Sequence, residues 1–265
     1  MAEEPLNPYA PPQNLDSLGP QQQPLPPPIY VRPYESTRGK ATLAVWATII
    51  SLIVQIMILA SLYWQHSLLQ GAKNGIDIAP AAADANDSRQ RSLQVVFVIS
   101  ALANLATLLI WIYGANANLR ALGCPDVEFT PAWSVGWFFV PLLNFFKPYQ
   151  VVREIWRGSD PSFYSGMVPS GTALIGWWWG LRICAAILGQ LASLISNHAE
   201  SVDELLGVTW LAIAINLAVG VPLHILQALL ILTTQGFQDE RHALIGSQPM
   251  TTPSIDSVNP LSVFR

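Results

Sequence analysis

The feature that most constrains this chain is a set of long apolar blocks that are almost free of charge. Four of them lie at residues 41–65, 93–114, 176–197 and 207–234, and Arg182 is the one formally charged residue inside them. A helix rises about 1.5 Å per residue, so about 20 residues cross the ~30 Å hydrocarbon core of a bilayer. The sequence therefore predicts an all-α membrane protein with four transmembrane helices.

The overall composition supports this fold class. The chain has 51% hydrophobic and only 11% charged residues, whereas soluble domains carry about 25% charged residues. Its net charge of -4 supplies no basic field that would attract nucleic acid. Cys124 and Cys184 are too few and too differently placed for a disulfide framework or a Cys-based metal site. We therefore expect neither a soluble fold nor a nucleic-acid partner.

The segments around the blocks are polar. Residues 1–38 are rich in Pro and Gln and predict a disordered tail, because they bury too little apolar area to offset the entropy of ordering. The segment 66–92 is predicted to be a mobile loop, and 237–265 a second disordered tail. The expected membrane domain therefore extends from 39 to 236.

Between the second and third blocks lies an apolar segment, 133–148, that is too short for a simple span. Pro141 and Pro148 interrupt it, and proline removes a backbone donor and clashes with the preceding helical turn. We predict a re-entrant segment packed among the spans, followed by an interfacial amphipathic helix over 148–158. The alternative is a complete fifth crossing.

The Lys and Arg residues predict the orientation, because cytoplasmic loops carry an excess of them. They precede the first block and recur through 115–171, whereas the loop between the third and fourth blocks has none. Both termini and the 115–171 region are therefore predicted to be cytoplasmic. Three bases between the first and second blocks oppose this orientation. A fifth crossing would export Arg153 and Arg157, so the charges favour the re-entrant interpretation.

The most distinctive motif of the chain occupies residues 129–161. Its positions are Phe129, Pro131, Trp133, Val135, Gly136, Trp137, Phe138, Val140, Pro141, Asn144, Lys147, Pro148, Tyr149, Glu154, Trp156, Arg157, Ser159, Asp160 and Pro161. It resembles the motif of a bacterial family of multispanning membrane proteins classed as a domain of unknown function, and the likeness extends over roughly 41–236. The resemblance implies a multi-pass protein of the bacterial inner membrane. It implies no activity, cofactor or catalytic residue.

Arg182 is a candidate functional residue, because a charge at the bilayer centre costs at least ~2.5 kcal/mol on insertion scales. We expect its guanidinium to extend back to the headgroups beside the Trp177 to Trp179 cluster. The alternative is that it pairs with Glu154 or with a bound anionic lipid. Other polar residues within the blocks are expected to hydrogen-bond between helices, although they would also suit a cavity lining. These residues are Asn104, Gln190, Asn216, His224 and Gln227.

The leading hypothesis is a non-enzymatic membrane module that binds lipid headgroups or a protein partner through its cytoplasmic motif. Aromatic side chains would anchor it at the interface, and arginines would attract phosphate. The candidate residues are Trp133, Trp137, Pro141, Asn144, Pro148, Tyr149, Arg153, Glu154, Trp156, Arg157 and Arg182. The alternative is a small transporter or channel built on the broken-helix region. Signatures of phosphate loops, zinc proteases and serine hydrolases are missing from the sequence, so we predict no catalytic residue, metal or cofactor.

Overall fold

The computed structural model describes residues 33–124, 126–163 and 171–247, and the regular elements in this part of the chain are helical. A π-helical turn over Asn216–Gly220 joins the last two helices, and short 3-10 turns cover Leu143–Phe145 and Pro161–Phe163. The α-helices of the described residues are α1 (Arg38–Lys73), α2 (Pro80–Ala121), α3 (Pro131–Gly136), α4 (Lys147–Ser159), α5 (Ala173–Asn197), α6 (Val202–Ile215) and α7 (Val221–Ser247).

The prediction of four spans is confirmed at the level of helix length and composition. α1, α2, α5 and the continuous α6–α7 stretch are each long and apolar enough to cross a membrane. Much of their apolar surface is exposed on the protein: Trp46, Ile99 and Leu102 are all more than half exposed. Such a surface is unfavourable in water and suits contact with lipid. The fold is therefore that of a multi-pass membrane protein.

The predicted loop at 66–92 is wrong over most of its length. α1 continues to Lys73 and α2 already begins at Pro80, so only a short connection remains between them. Ala-rich sequence favours helix, and proline suits the first turn, where its missing N–H has no helical partner. Gly75, with a φ of 78°, makes the reversal of direction that a residue with a side chain would resist.

The predicted C-terminal tail also begins too early. α7 continues to Ser247, and Gln238 within this stretch is fully buried. Its side-chain amide donates a hydrogen bond to the Ala115 carbonyl at 2.9 Å. Polar composition does not mark a tail here, because the polar groups find partners inside the fold. The rest of the two predicted tails, 1–32 and 248–265, lies outside the described residues.

The long helices alternate in direction, so the bundle has two ends. At one of them, which we call the α4 end, α4 packs against α2, α5 and α7. At the other, the hairpin end, residues 74–79 connect α1 to α2 and residues 198–201 connect α5 to α6. Lys73 and Asp203 form an ion pair there at 2.6 Å. The charge distribution predicts that the α4 end is cytoplasmic.

The spans are arranged as an open arc rather than a closed ring. α1 packs against α2, α6 and α7, and α5 packs against α6 and α7. Within the described chain, α2 and α5 share at most marginal contact. α5 is also the least enclosed span, since 6% of the residues in its most apolar stretch are buried, against 22 to 33% in the other three.

α4 is a helix at the predicted position, but its surroundings differ from the prediction. The buried residues of its apolar face are Val151, Val152, Ile155 and Trp156. This face belongs to the main hydrophobic core of the protein. Because it packs against other helices, it is not available to insert into a membrane surface as an interfacial helix would.

Between α3 and α4 the chain makes an exposed apolar turn. Phe139, Leu142 and Phe146 are each more than 60% exposed. Leu142 has a φ of 64°, in the left-handed region that residues with a side chain seldom adopt. Thr130 caps α3 by accepting a hydrogen bond from the Trp133 N–H. The helix is therefore interrupted where the prolines predicted, while the entry of this segment into a membrane stays a prediction.

Candidate functional site

An intramembrane cavity of about 490 Å³ lies between the spans. Its walls come from α1, α2, α5, α6, α7 and the π-helical turn, and Ser51 and Gln55 place it near the middle of the predicted first span. Apolar side chains form most of the wall. The polar lining residues are Ser51, Gln55, Gln94, Ser100, Asn104, Arg182, Asn216, His224 and Gln227.

Arg182 is the charged side chain that lines this cavity. Among the described residues, no carboxylate pairs with its guanidinium and no acceptor lies within hydrogen-bonding distance of it. The suggested pair with Glu154 does not form, because that carboxylate accepts hydrogen bonds from the backbone N–H groups of Glu128 and Phe129. An uncompensated charge within a span is costly. The cavity therefore favours an anionic group beside Arg182.

The tryptophan cluster next to Arg182 is only partly exposed. Trp177 is 69% exposed, whereas Trp178 is fully buried. Trp179 donates its indole N–H to the Phe145 carbonyl at 2.8 Å. Two of the three indoles thus fasten α5 to the rest of the protein. Arg182 lies one turn beyond Trp178 and lines the cavity, and the extension of its side chain to the headgroups stays a prediction.

Three side chains from three helices close the cavity on the side of the α4 end. The Gln227 amide donates to Asn104 Oδ1 at 2.8 Å and to Thr48 Oγ1 at 2.9 Å. Thr48 Oγ1 in turn donates to Asn104 Oδ1 at 3.1 Å. We call these three residues the polar floor. The expected hydrogen bonding between helices is confirmed for both amides, and the same amides also line the cavity.

The π-helical turn shapes the wall opposite α2. The Val221 N–H donates to the Asn216 carbonyl five residues back, which widens the helix beside the cavity. The Asn216 side chain contacts the Gln55 amide on α1. Gly220 permits this contact, because a Cβ atom there would lie 2.6 Å from Gln55 Nε2. His224 Nδ1 lies 2.8 Å from the Gly220 carbonyl oxygen, so this ring also has a partner within the turn.

The charged motif residues lie at the α4 end, apart from this cavity. Arg153, Glu154 and Arg157 line a second, open cleft of about 650 Å³ that also contains Asp126 and Glu128. Burial raises the pKa of Glu154, and hydrogen bonds from two backbone N–H groups partly oppose that rise. The cleft carries charges of both signs. Lipid or partner binding by the motif therefore stays a prediction, in a cleft where acidic groups lie beside Arg153 and Arg157.

The aromatic motif residues contribute mainly to packing. The Trp133 and Trp137 ring centroids lie 4.7 Å apart, and Lys147 Nζ lies 5.7 Å from the Trp137 centroid. Trp156 is buried edge-to-face against Phe237, with ring centroids 5.1 Å apart. The structure thus brings the motif together but separates it from Arg182. Of the remaining candidates, Pro141 is exposed, Asn144 and Tyr149 are half-buried, and Pro148 is buried.

The cavity has a sequence signal that the prediction did not use. Thr48, Ser51 and Gln55 are spaced by three and four residues, so they share one face of α1. His224 and Gln227 show the same spacing on α7. A polar stripe inside a predicted span indicates a face that is turned away from lipid.

One family matches this chain. It is described as "Domain of unknown function (DUF4328)", and the match covers residues 74–236. That range contains α2, the whole motif, Arg182 and the π-helical turn, while α1 precedes it. Neither a curated protein nor a solved structure matches the chain.

Proposed function

We propose, from the premise that this chain belongs to the DUF4328 family of unknown function, that it is a non-enzymatic membrane protein that binds an amphiphilic organic anion. The site is the intramembrane cavity. The observation that carries the proposal is the Arg182 guanidinium, which lines that cavity with neither a carboxylate nor a hydrogen-bond acceptor among the described residues. A bound anion would supply the missing counter-charge.

The cavity wall supports the rest of the ligand chemistry. Guanidinium groups stay protonated in proteins and pair well with carboxylate and phosphate. Apolar side chains such as Phe97, Leu105 and Leu223 suit a hydrocarbon chain. A volume of about 490 Å³ falls within the roughly 300–1,000 Å³ that small-molecule sites occupy. These features together favour a carboxylate or phosphate head on an apolar body.

We also propose that the protein resides in the bacterial inner membrane with both termini in the cytoplasm. The support is the excess of Lys and Arg residues near the α4 end. Membrane lipids are then the first ligands to consider, because they combine an anionic head with apolar chains. The exposed Phe139, Leu142 and Phe146 support a further contact of the α4 end with lipid or with a protein partner.

Ligand-dependent stabilisation of the purified full-length protein in a neutral maltoside detergent tests the proposal. Decanoate is expected to raise the melting temperature saturably, because it binds the folded state alone. Decanol has the same chain length without the charge and is expected to act far less. Arg182→Gln is expected to lose most of the decanoate effect, and Arg182→Lys to keep part of it. Equal stabilisation of wild type and Arg182→Gln by decanoate would refute the proposal.

The double variant Arg153→Gln with Arg157→Gln is the control for the motif hypothesis. It removes two positive charges at the α4 end and is expected to leave the decanoate response unchanged. Loss of the response in this variant, with the response intact in Arg182→Gln, would assign the site to the motif instead. Native mass spectrometry then distinguishes the source of the anion. A phospholipid that co-purifies with wild type but not with Arg182→Gln indicates a membrane lipid, and empty protein that takes up decanoate indicates a free anion.

A transporter of the same anion is the second candidate. The observation that favours it is the π-helical turn over Asn216–Gly220, since irregular helices beside a midspan cavity are common in secondary transporters. The test is uptake of decanesulfonate, which stays ionised, into proteoliposomes. Uptake that exceeds the Arg182→Gln control indicates transport, and uptake equal to that control indicates a binding protein.

A further inference from the structure

A second open volume lies nearer the hairpin end than the intramembrane cavity. This vestibule, of about 800 Å³, is lined by α1, α2, α5 and α6. Each of these helices carries one residue of the cavity and, three or four positions nearer the hairpin end, one residue of the vestibule. Residues with that spacing share one helix face, so the two volumes lie in line along the same four helices, and we call them together the column. The pairs are Ile58 and Leu62, Gln94 and Gln90, Gly189 and Ser193, and Ile215 and Ala212.

In the opposite direction the column is closed. The polar floor on α1 and α7, Leu108 on α2 and Arg182 on α5 border the column on this side. One helical turn nearer the α4 end, each span carries a residue of the hydrophobic core. These residues are Ala44, Ile112, Trp178 and Ile231, and each is 0% exposed. A ligand at Arg182 would therefore meet close packing on the side of the α4 end.

α5 leaves the hairpin half of the column accessible. Its buried residues, Ile175, Trp178 and Trp179, all lie in its first two turns at the α4 end. Where α5 lines the column it carries small residues, including Ala185 and Gly189. α2 and α5 share at most marginal contact in the described chain. Contact between α2 and α5 therefore does not close the column.

We infer that a ligand enters and leaves the cavity through the vestibule, and only from the hairpin side. The identity of the ligand rests on the proposed function, whereas the route rests on the column and its closure. An anion that enters this way passes Arg91, which lines the vestibule beside Asp87, before it reaches Arg182. With the charge-based orientation, this side is extracytoplasmic. The protein would then take its anion from outside the cytoplasm.

Single-cysteine labelling of the full-length chain tests the route without any ligand. Cys124 and Cys184 are first replaced by Ser. Asp77→Cys, in the exposed α1–α2 connection, then marks the hairpin side, and Gln150→Cys, on an exposed face of α4, marks the other side. The reagent is the membrane-impermeant anion methanethiosulfonate ethylsulfonate, applied to intact spheroplasts and to inverted membrane vesicles. The two markers assign the sides whichever orientation the protein has.

Three further variants report on the column. Ala186→Cys lies in the cavity, Ser193→Cys in the vestibule, and Ala44→Cys in the closed region. Ala186→Cys and Ser193→Cys are expected to react at least tenfold faster from the side that labels Asp77→Cys. Ala44→Cys is expected to stay unmodified from both sides. Comparable rates from the two sides, faster reaction from the α4 side, or no reaction of Ala186→Cys would overturn the inference.

Added decanoate separates this inference from the proposed function. Decanoate is expected to slow the labelling of Ala186→Cys severalfold when Arg182 is present. It is expected to have no such effect when the same chain also carries Arg182→Gln. One-sided labelling without such protection would support the route and contradict the anion site. Protection together with labelling from both sides would support the anion site and contradict the route.

Discussion

The two halves of the bundle contain the same four spans but are packed in opposite ways. Toward the α4 end, large side chains such as Trp111, Trp178 and Ile231 are almost completely buried. Toward the hairpin end, the spans separate around the cavity and the vestibule. In lipid, little hydrophobic force drives helices together, because the tails are as apolar as the side chains. An open half is therefore tolerated when the closed half holds the helices.

The two halves also differ in where their polar groups lie. In the closed half, Gln238 donates to the Ala115 carbonyl at 2.9 Å and to Ser159 Oγ at 3.0 Å. Other buried side-chain atoms of this half have no hydrogen-bond partner among the described residues: both amide atoms of Asn116, Arg120 Nη1, Asn144 Oδ1 and the indole nitrogens of Trp111, Trp137 and Trp156. In the open half, Arg182 faces space rather than an acceptor. The closed half thus contains both hydrogen bonds that join helices and buried groups without a partner, whereas the open half places a charged group, Arg182, beside an open volume.

The largest expected effect would test the closed half. Trp178→Ala removes a fully buried indole and is expected to lower the free energy of unfolding by about 3–5 kcal/mol. Trp177→Ala is the matched control, because the adjacent indole is 69% exposed and its loss leaves no internal cavity. Unfolding in a neutral detergent, followed by fluorescence or circular dichroism, measures both. Equal losses in the two variants would contradict the described packing of α5.

A smaller effect is expected from the hydrogen bonds of the closed half. Gln238→Ala leaves the Ala115 carbonyl and the Ser159 hydroxyl without their buried donor, and is expected to cost about 1–3 kcal/mol. Gln94→Ala, on the exposed cavity wall, is the matched control and is expected to change stability by less than about 0.5 kcal/mol. The same unfolding measurement applies. If Gln94→Ala lowered the free energy of unfolding by more than this, the open half would also depend on its polar side chains.

The sequence predicts the open half less well than the closed one for a physical reason. Apolar block length alone located the four spans, since the bilayer imposes a minimum on it. Helix ends were missed at 66–92 and 237–247, because polar residues there continue the helix outside the apolar blocks. The motif stands out in the sequence, and the structure brings its residues together at the α4 end. Its role as a binding surface rests on composition and stays a prediction, and among its candidate residues the structure buries Pro148 and Trp156.

The cavity was harder to predict because it depends on which helix faces meet. Asn104, Asn216 and Gln227 were recognised as polar residues within spans, but one sequence does not place them around a common volume. Arg182 was identified from its charge, while its neighbours in the cavity come from five other elements of the fold. The π-helical turn that shapes one wall follows from a shift in backbone hydrogen bonding, and neither apolar periodicity nor residue type alone predicts such a shift.

Two glycines on the cavity wall test how closely the open half is shaped. Gly220→Ala would bring a Cβ to 2.6 Å from Gln55 Nε2, so the Gln55 amide would have to leave Asn216. Gly189→Ala would meet nothing within 4 Å and would gain up to about 1 kcal/mol of helix propensity. We expect severalfold weaker decanoate binding in Gly220→Ala and nearly unchanged binding in Gly189→Ala. The decanoate-dependent shift in melting temperature measures both. Identical decanoate-dependent shifts in the two variants would show that the contact between Gln55 and Asn216 does not shape the site.

The smallest expected effect is a pH dependence that arises in the closed half. Burial raises the pKa of Glu154, so the folded protein binds that proton more tightly than the unfolded chain does. This contribution to stability is complete below the ordinary glutamate pKa and is lost as the pH rises through the raised value. Glu154→Gln keeps an oxygen to accept from the Phe129 N–H but has no proton to lose, so its stability is expected to fall less across that window. Melting temperatures of wild type, Glu154→Gln and the exposed hairpin-end control Glu200→Gln between about pH 4 and pH 7 measure the difference. Glu154→Gln and wild type could instead show the same dependence of melting temperature on pH while Glu200→Gln departs from it. The pH sensitivity would then belong to the open half, and the electrostatic difference expected here between the halves would be contradicted.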